Sequence, residues 1–404
     1  MAYLHRTLEK VIPQLSASSK GILLFGMRQT GKTALMKHLG SKRPYVTLVQ
    51  HEIRDTAMHA PDQLLADCPP HAIIDEVEWA PTLFPALEAF LDARDDRGLF
   101  WLLGSQRPAF VEEIADTLPG RITLLNLLPL SIYEREGLGL EQLPYLPDFS
   151  LKQKLEARSA YETRGIVFEG GFPEAKSLSG ADRKLFFDKL IDSVIEKDIP
   201  QLNSIEKRMA FRRFLRTLAV RSGQVLNCTA LAHDCGLTIR TAREWLAIAE
   251  TCGFIFVLPP YLENIGKRLV RSPKLYFADT GLLCKLMGIQ TPEEAAAHYN
   301  ADALFETFVV MEIVKSWLHN GRRPEFYFYR DSDQNEIDLL IRCQNRFFPV
   351  EVRAAATTPK RSMVKSIRAF RKIKPDCSTA ALISLLQETV PLDANTVSHS
   401  IWSI

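Results

Sequence analysis

The residues with the clearest chemical pattern lie near the amino end of the chain. Residues 26–33 read GMRQTGKT, which fits G-x-x-x-x-G-K-T, between an apolar run at residues 21–25 and a helical pattern at residues 34–39. In that context backbone N–H groups can wrap a phosphate, Lys32 can reach its β- and γ-oxygens, and the Thr33 hydroxyl can ligate Mg²⁺. The pattern predicts a site for ATP and Mg²⁺ formed by Gly26, Met27, Arg28, Gln29, Thr30, Gly31, Lys32, Thr33 and Ala34.

An acidic pair downstream could complete this site. Asp75 and Glu76 directly follow the apolar residues 72–74. We expect Asp75 to hold Mg²⁺ through water and Glu76 to orient and polarise the water that attacks the γ-phosphate. Acidic residues are also common at turns, so a solvated strand end is the alternative. The P-loop upstream favours the catalytic interpretation.

A second chemical pattern lies in the middle of the chain, where basic residues precede a helix-turn-helix signal. Gly236 suits a tight turn and Thr238 can cap the helix that follows, while Asn227 can cap the helix before the turn. The second helix of such a pair enters the major groove, and clustered basic residues neutralise phosphates. A packing role is the alternative. The residues expected to contact DNA are Arg212, Arg216, Arg240, Thr241 and Arg243.

Composition limits the classes of protein that fit this chain. Its 404 residues are enough for two to four domains of about 100–150 residues. The net charge of +2 gives no general argument for an acidic partner, so such arguments must be local. The seven cysteines form no C-x-x-C pair, which fits neither a disulfide framework nor a zinc site. We find no signal peptide and no apolar run of membrane length, and therefore expect a cytoplasmic protein without a membrane partner.

The elements that must position these residues follow from hydrophobic patterning. Continuous apolar runs separated by helix-length segments are typical of a parallel sheet that is covered on both faces. We predict an α/β fold in four parts: a P-loop ATPase domain, a helical lid, a winged helix-turn-helix and a closing α/β domain. The expected boundaries are 1–135, 136–205, 206–290 and 291–404. The predicted strands of the first part lie at residues 21–25, 45–48, 72–75, 99–103 and 122–125.

Taken together, these segments resemble a large group of prokaryotic AAA+ ATPases that join a P-loop domain to a winged helix and a nuclease-like domain. The resemblance implies that Ser105 or Gln106 senses the γ-phosphate, and a polar cap at the end of the strand is the alternative. It also implies that Arg121 reaches the ATP of a neighbouring subunit in a homo-oligomeric ring, with six subunits expected. An ordinary surface arginine at a helix end is the alternative for Arg121. The matching segments are residues 26–33, 73–76, 104–105, 120–121, 128–131, 170–174, 274–281 and 336–338.

The carboxyl-terminal part resembles the PD-(D/E)xK, or restriction-endonuclease-like, fold. Glu306, Asp338 and Glu351 occur in the order of that motif, in which carboxylates hold a metal and a lysine assists the attacking water. Arg353 stands where the lysine is expected. A guanidinium stays protonated and cannot act as a base. We therefore expect a degenerate site that is retained for binding.

The sequence thus predicts an AAA+ ATPase that hydrolyses ATP with Mg²⁺, in a ring that acts on DNA. Two alternatives remain. The first is an ATP-dependent nuclease, and the second is a regulatory switch of the defence or toxin–antitoxin kind that uses its ATP state as a signal to a protein partner.

Overall fold

The computed structural model describes residues 3–105, 118, 120–151, 155–262, 270–355 and 361–404. Within these ranges the chain forms sheets of five, three and six strands, in that order along the sequence. Short 3₁₀ helices also occur, at Thr7–Lys10, Val77–Trp79, Gly139–Glu141, Ala175–Ser177, Arg361–Val364 and Ile401–Ser403.

The first sheet has the order β2-β3-β4-β1-β5, and all its neighbouring strands are parallel. Helices alternate with these strands along the chain, and residues of the strands belong to two separate buried hydrophobic clusters. Both faces of the sheet are therefore covered, and the strands are apolar along most of their length. The five predicted strands are confirmed, with ends that shift by one or two residues. The elements are α1 (Ile12–Ser18), β1 (Gly21–Gly26), α2 (Lys32–Leu39), β2 (Tyr45–Thr47), α3 (His51–His59), α4 (Pro61–Asp67), β3 (Ala72–Asp75), α5 (Leu83–Asp92), β4 (Phe100–Ser105) and β5 (Ile122–Asn126).

Strand order decides which residues meet at the carboxyl edge of this sheet. β4 lies between β1 and β3, and Gly26 at the end of β1 pairs with Ser105 at the end of β4. Asp75 ends β3 on the other side of β4. The loop after β1, the acidic pair after β3 and the end of β4 therefore share one edge, where ligands of open α/β sheets bind.

The middle of the chain is mostly helical and contains a small antiparallel sheet of order β6-β8-β7. Two of its helices are the predicted helix-turn-helix pair, α10 and α11. The elements are α6 (Ile132–Arg135), α7 (Ala160–Glu169), α8 (Gly180–Lys197), α9 (Ile205–Ala219), β6 (Gln224–Val225), α10 (Cys228–Cys235), α11 (Ile239–Thr251), β7 (Ile255–Leu258), β8 (Lys274–Phe277), α12 (Thr280–Met287) and α13 (Pro292–Ala297).

The last part is a mixed sheet of order β13-β14-β12-β11-β10-β9. One buried hydrophobic cluster runs from Met27 through the middle helices to Ile404, so this part and the helices share a core. The elements are α14 (Ala301–Leu318), β9 (Glu325–Arg330), β10 (Glu336–Cys343), β11 (Arg346–Arg353), α15 (Lys365–Ile373), β12 (Ala380–Ser384), β13 (Val390–Asp393) and β14 (Thr396–Ser400).

Candidate functional site

Two glycines give the loop after β1 its shape. Gly26 has φ +154°, and a Cβ there would lie 2.3 Å from the carbonyl oxygen of Leu127. Gly31 has φ +97° and precedes the first residue of α2. Both conformations are unfavourable for residues with a Cβ, which is why the G-x-x-x-x-G spacing is needed for this turn.

Lys32 begins α2 and folds back over the loop. Its Nζ donates hydrogen bonds to the carbonyl oxygens of Gly26 (2.9 Å) and Met27 (3.0 Å). Burial lowers the pKa of Lys32, although the nearby carboxylates of Glu78, Glu76 and Asp75 act in the opposite direction. The ammonium is therefore held by two carbonyl oxygens at the place where the phosphate charge of a nucleotide is expected.

Thr33 and Asp75 meet at the edge of the loop, as predicted for a metal site. The Thr33 hydroxyl donates to Asp75 Oδ2 at 2.9 Å, and the Tyr45 hydroxyl donates to the same oxygen at 2.7 Å. Asp75 is 5% exposed. The Tyr45 contact was not foreseen from sequence, and it fixes the carboxylate from the side of β2.

Glu76 and Glu78 form an acidic pair beside Lys32. Glu76 adopts a left-handed backbone conformation, with φ +60°, and its side chain accepts a hydrogen bond from the Trp79 indole at 3.3 Å. Glu78 is buried and accepts hydrogen bonds from the backbone N–H (2.9 Å) and the hydroxyl of Ser105. Burial and the negative charge of Glu76 raise the pKa of Glu78 to about 7. Ser105 is therefore placed among the residues that surround the P-loop. Gln106 lies outside the described residues.

An ion pair joins the P-loop to the end of α8. Arg28 binds Asp198 through two hydrogen bonds of 2.8 Å, from Nε and Nη2. Asp198 is 3% exposed, and its Oδ1 also lies 3.3 Å from the Ser105 hydroxyl. One carboxylate from the helical region therefore contacts both the P-loop and the end of β4.

These contacts surround a cleft of about 740 Å³. The cleft is lined by Arg28, Gln29, Gly31, Lys32, Thr33, Ala34, Asp75, Glu76, Ser105, Pro173, Glu174, Ser193 and Lys197.

Two residues of the predicted loop differ in role from the others. Met27 is 3% exposed and belongs to the hydrophobic core, and the Thr30 hydroxyl donates to Met27 O at 3.0 Å. Their side chains shape the loop and do not line the cleft.

A second, mainly apolar cavity of about 270 Å³ adjoins the cleft and shares Gly31, Ala34 and Pro173 with it. Arg6 borders this cavity and ties the amino-terminal segment to the P-loop, because its Nη1 donates to Thr30 O at 2.7 Å. Leu130 borders it on another side. The two cavities together have the form of a phosphate site with an apolar compartment beside it.

The segment at residues 170–174 is held in place by close backbone packing. Leu130 N–H donates to Gly171 O at 2.7 Å, and Gly171 N–H donates to Asp279 Oδ2 at 2.6 Å. A Cβ on Gly171 would lie 2.4 Å from Leu130 O. These contacts bring Pro173 and Glu174 to the cleft, so segments that are far apart in sequence build its rim.

Arg121 lies away from this cleft. It precedes β5, whose first residue, Ile122, pairs with Gly21 at the amino end of β1. Five residues of strand, roughly 17 Å, separate this edge from the P-loop. Arg121 makes hydrogen bonds of 2.7 and 2.8 Å to Asp92 and lies 3.1 Å from Glu88. In a single chain it does not reach the phosphate site.

The predicted DNA-contacting residues divide into two groups. Asn227 and Thr238 cap α10 and α11 as expected, and Gly236 has φ +65° in the turn. The side chains of Arg240, Thr241 and Arg243 are at the exposed start of α11, where Arg240 donates to Glu244 at 2.9 Å.

The two arginines of α9 have other surroundings. Arg212 forms an ion pair with Asp192 of α8, and Arg216 lines a cavity between helices. That Arg212 and Arg216 contact DNA stays a prediction.

The nuclease-like residues converge, but a lysine from another element lies among them. Lys274 of β8 is 2% exposed, and its Nζ lies 3.0 Å from Glu306, 2.5 Å from Glu336 and 3.4 Å from Asp338. Burial lowers the pKa of Lys274, but the neighbouring Tyr276 and these carboxylates outweigh it and raise the pKa well above its usual value. Its ammonium occupies the centre of the carboxylate cluster.

Arg353 pairs with two acids of this cluster. Its guanidinium lies 3.3 Å from Asp338 and 2.8 Å from Glu351. Across the described ranges, one group of three acidic, histidine or cysteine side chains has all its ligand atoms within 4.8 Å of one another, and it is His5, Glu9 and His38. The carboxylates of Glu306, Asp338 and Glu351 therefore do not form such a group. Lys274 of β8 and Arg353 of β11 are thus both present among these carboxylates.

Besides Tyr45, sequence reasoning missed three residues of these sites: Glu78, Asp198 and Lys274. Glu78 lies two residues after Glu76, so the only indication of it in the sequence was an acidic residue close behind Asp75 and Glu76. Asp198 and Lys274 had no local signal, because each acts on residues more than 30 positions away.

Comparisons with known families place the P-loop in a broader class. Residues 18–136 match a family model described as an AAA domain. Residues 161–293 and 301–403 match two models described as domains of unknown function (DUF8612 and DUF4143). The chain therefore contains an AAA-type, ATP-binding P-loop domain. No helix in the described ranges has the length and apolar character needed to cross a membrane.

Similar proteins include uncharacterized proteins of Mycobacterium tuberculosis (Rv2008c) and Mycobacterium bovis (Mb2031c). Each is 27% identical over 350 residues, which is 86% of this chain and 73% of the relative. A Walker-type ATPase of Pyrococcus abyssi aligns with 69% of this chain and 94% of its own, with a TM-score of 0.43 and 12% identity. A signal transduction ATPase of Pyrococcus horikoshii aligns with 78% of this chain and 47% of its own, with a TM-score of 0.28 and 12% identity.

Proposed function

We propose that the chain hydrolyses the β–γ phosphoanhydride bond of ATP in the cleft beside β1. The observation that carries this proposal is the contact of 2.9 Å between Thr33 and Asp75, next to Lys32 and Glu76. Lys32 binds the β- and γ-phosphate oxygens and neutralises their charge. Glu76 orients and polarises the attacking water, and Ser105 contacts the γ-phosphate from the end of β4.

Mg²⁺ fits the oxygen atoms at this edge. Thr33 supplies a hydroxyl oxygen and Asp75 a carboxylate oxygen. Mg²⁺ prefers oxygen ligands of this kind, which bind it directly or through a water molecule. When bound, the ion neutralises charge that develops on the phosphates. The nucleotide base occupies the apolar cavity next to Gly31 and Pro173, where it is desolvated without needing a charged partner.

A pair of substitutions tests the hydrolysis proposal. Lys32→Ala should abolish ATP binding, because it removes the charge that meets the phosphates. Glu76→Gln should keep ATP affinity and reduce turnover by at least about 100-fold, because it removes only water activation. Glu52→Gln, an exposed acid on α3, is the matched control and should behave as wild type. Calorimetry and phosphate release measure the two steps, and normal turnover in Glu76→Gln would reject the assignment.

We further propose a homo-oligomeric ring, expected to be a hexamer, in which Arg121 completes the site of the neighbouring subunit. Two facts support this. Arg121 is too far from its own P-loop to act there, and it lies at a surface where its partners, Asp92 and Glu88, are themselves accessible to solvent. A guanidinium stabilises phosphoryl charge most strongly in the transition state, so its supply in trans would link hydrolysis to assembly.

DNA is the proposed macromolecular partner, and α11 is the proposed contact. The capped, exposed amino end of α11 supports this, since recognition helices present such ends to DNA. Arg240, Thr241 and Arg243 make this contact. Arg212 and Arg216 contribute less than the sequence suggested, because Arg212 already neutralises Asp192 and Arg216 lies beside a cavity.

A regulatory switch is the second candidate, and the pairing of Arg28 with Asp198 favours it. This ion pair connects the phosphate loop to α8, so a nucleotide that moves Arg28 also changes the contacts of the helical region. ATPase rates with and without duplex and single-stranded DNA distinguish the two candidates. Stimulation supports a DNA-directed motor, and a rate that ignores DNA supports a switch.

The nuclease alternative receives less support, because Lys274 and Arg353 occupy the space among the carboxylates. We propose that this cluster binds the carboxyl-terminal part to β8 and does not hold a catalytic metal. Release of nucleotides from DNA by the full chain with Mg²⁺ or Mn²⁺, lost in Asp338→Asn, would reverse this conclusion.

A further inference from the structure

A cavity of about 380 Å³ lies in the helical middle of the chain, apart from the ATP cleft. It is formed where the end of α7 and the start of α8 meet α9 and α12. Gly180 borders the cavity, and Lys197, at the other end of the same helix, borders the ATP cleft. Since α8 has 18 residues and is about 27 Å long, the two sites are separate.

A buried arginine in this cavity has unused hydrogen-bonding capacity. Arg183 is 8% exposed, and its Nε and Nη2 have no hydrogen-bond partner among the residues that the structure describes. The guanidinium lies over the Phe168 ring, 4.8 Å from its centroid. The nearby carboxylate of Asp279 is already engaged by the backbone N–H groups of Gly171 and Leu282. A buried guanidinium in this state lacks compensation for its lost hydration.

The other charged side chains that line the cavity are also cations. Lys184 donates to Gln290 at 2.7 Å, Lys285 pairs with Asp188 at 2.7 Å, and Arg216 is exposed at the rim. No carboxylate is present among the described lining residues. The wall thus carries a surplus of positive charge that a bound anion would balance.

The rest of the wall is apolar. Phe168, Phe187 and Leu286 provide ring and aliphatic surfaces, and the volume lies within the range typical of small-molecule sites. A bare inorganic anion would leave these surfaces wet, and an uncharged ring would leave Arg183 without a partner. The two halves of the wall are complementary to one molecule that has both an anionic group and an apolar ring.

We infer that this cavity binds a small organic anion, with the anionic group on Arg183 and Arg216 and the ring between Phe168 and Phe187. The negative charge of a carboxylate, phosphate or sulfonate would offset the buried Arg183 charge, and the exposed guanidinium of Arg216 could donate hydrogen bonds to it. The site does not depend on the ATP proposal, because it shares no lining residue with that cleft.

Two probes with the same rings separate the two halves of the site. Anilinonaphthalene sulfonate carries an anion, and phenylnaphthylamine is its uncharged analogue. The full chain should bind one equivalent of the sulfonate in a fluorescence or calorimetric titration. Arg183→Gln should weaken sulfonate binding by about 10-fold to 100-fold, because it removes a buried positive charge that the anion would neutralise. Its affinity for the uncharged probe should change by less than about twofold.

Arg216→Gln keeps the test decisive if Arg183→Gln fails to fold, because Arg216 is exposed and its replacement leaves no buried gap. It should also weaken the sulfonate selectively. Arg213→Gln, exposed on the same helix, is the matched control and should bind both probes as wild type. Unchanged sulfonate affinity in the Arg183 and Arg216 variants, or an equal loss for both probes, would overturn the proposal.

Discussion

Lys274→Met should destabilise the protein more than any loss of a surface ion pair, and the loss should depend on pH. Methionine keeps most of the side-chain volume and removes the ammonium. Three carboxylates within 3.4 Å of Lys274 Nζ would then lose their shared cation: Glu306, Glu336 and Asp338. Asp338 keeps a contact with Arg353 and Glu336 keeps one with Arg330, so Glu306 is the acid most affected.

The size of the effect follows from burial. Removal of one partner of a buried ion pair costs about 3–5 kcal/mol, because the remaining charge stays buried without compensation. Lys274 is 2% exposed, so this range applies. Lys285→Met is the matched control, since it removes a partly exposed lysine from a single pair with Asp188. Pairs of that kind contribute about 0–1 kcal/mol.

The sign of the pH dependence follows from Glu306. Burial and the charge of Asp338 raise its pKa to about 7 in the native protein, and loss of the Lys274 ammonium raises it further. A carboxyl group whose pKa is higher in the folded than in the unfolded protein contributes to stability, and this contribution is complete below the unfolded pKa of about 4.3. The contribution is lost as the pH rises through the folded pKa. The cost of Lys274→Met should therefore be larger at pH 8 than at pH 5.

Urea unfolding of the full chain at both pH values, followed by fluorescence, measures this difference. A cost below about 1 kcal/mol at pH 8, equal to that of Lys285→Met, would refute the ion-pair role of Lys274. A cost that does not fall at pH 5 would refute the assignment of the buried charge to the carboxylates.

Three further outcomes are expected. The free energy of unfolding of the wild type should fall by up to about 3 kcal/mol between pH 4.5 and 7, because burial raises the pKa of Glu78 to about 7. Glu78→Gln should remove this fall, as measured by urea titrations at several pH values. Arg121→Ala should bind ATP normally and hydrolyse it poorly. Random mixing with Lys32→Ala should restore ATPase activity at up to about a quarter of the interfaces. If rings shown to be mixed recover no activity, action of Arg121 in trans is contradicted. Arg240→Ala with Arg243→Ala should lower the salt dependence of DNA binding by about one unit per lost phosphate contact, and an unchanged slope would place the DNA surface elsewhere.

The sequence by itself determined the first sheet and the phosphate loop. Each strand was visible as a continuous apolar run, because a parallel strand buried on both faces needs apolar residues at consecutive positions. The loop was visible because its glycines, lysine and threonine act within eight residues, at a spacing set by backbone geometry. The caps of α10 and α11 were equally local, since a cap bonds to a backbone group two or three residues away.

Only the tertiary structure decided which distant charges meet. Asp198 pairs with Arg28 across 170 positions, and Lys274 enters the carboxylate cluster from a strand of another sheet. The cavity beside Arg183 forms from four helices in the same way. Any acid can pair with any base in a sequence, and the pairs that form are those that chain packing places within a few ångströms in low dielectric, where an unpaired charge is costly.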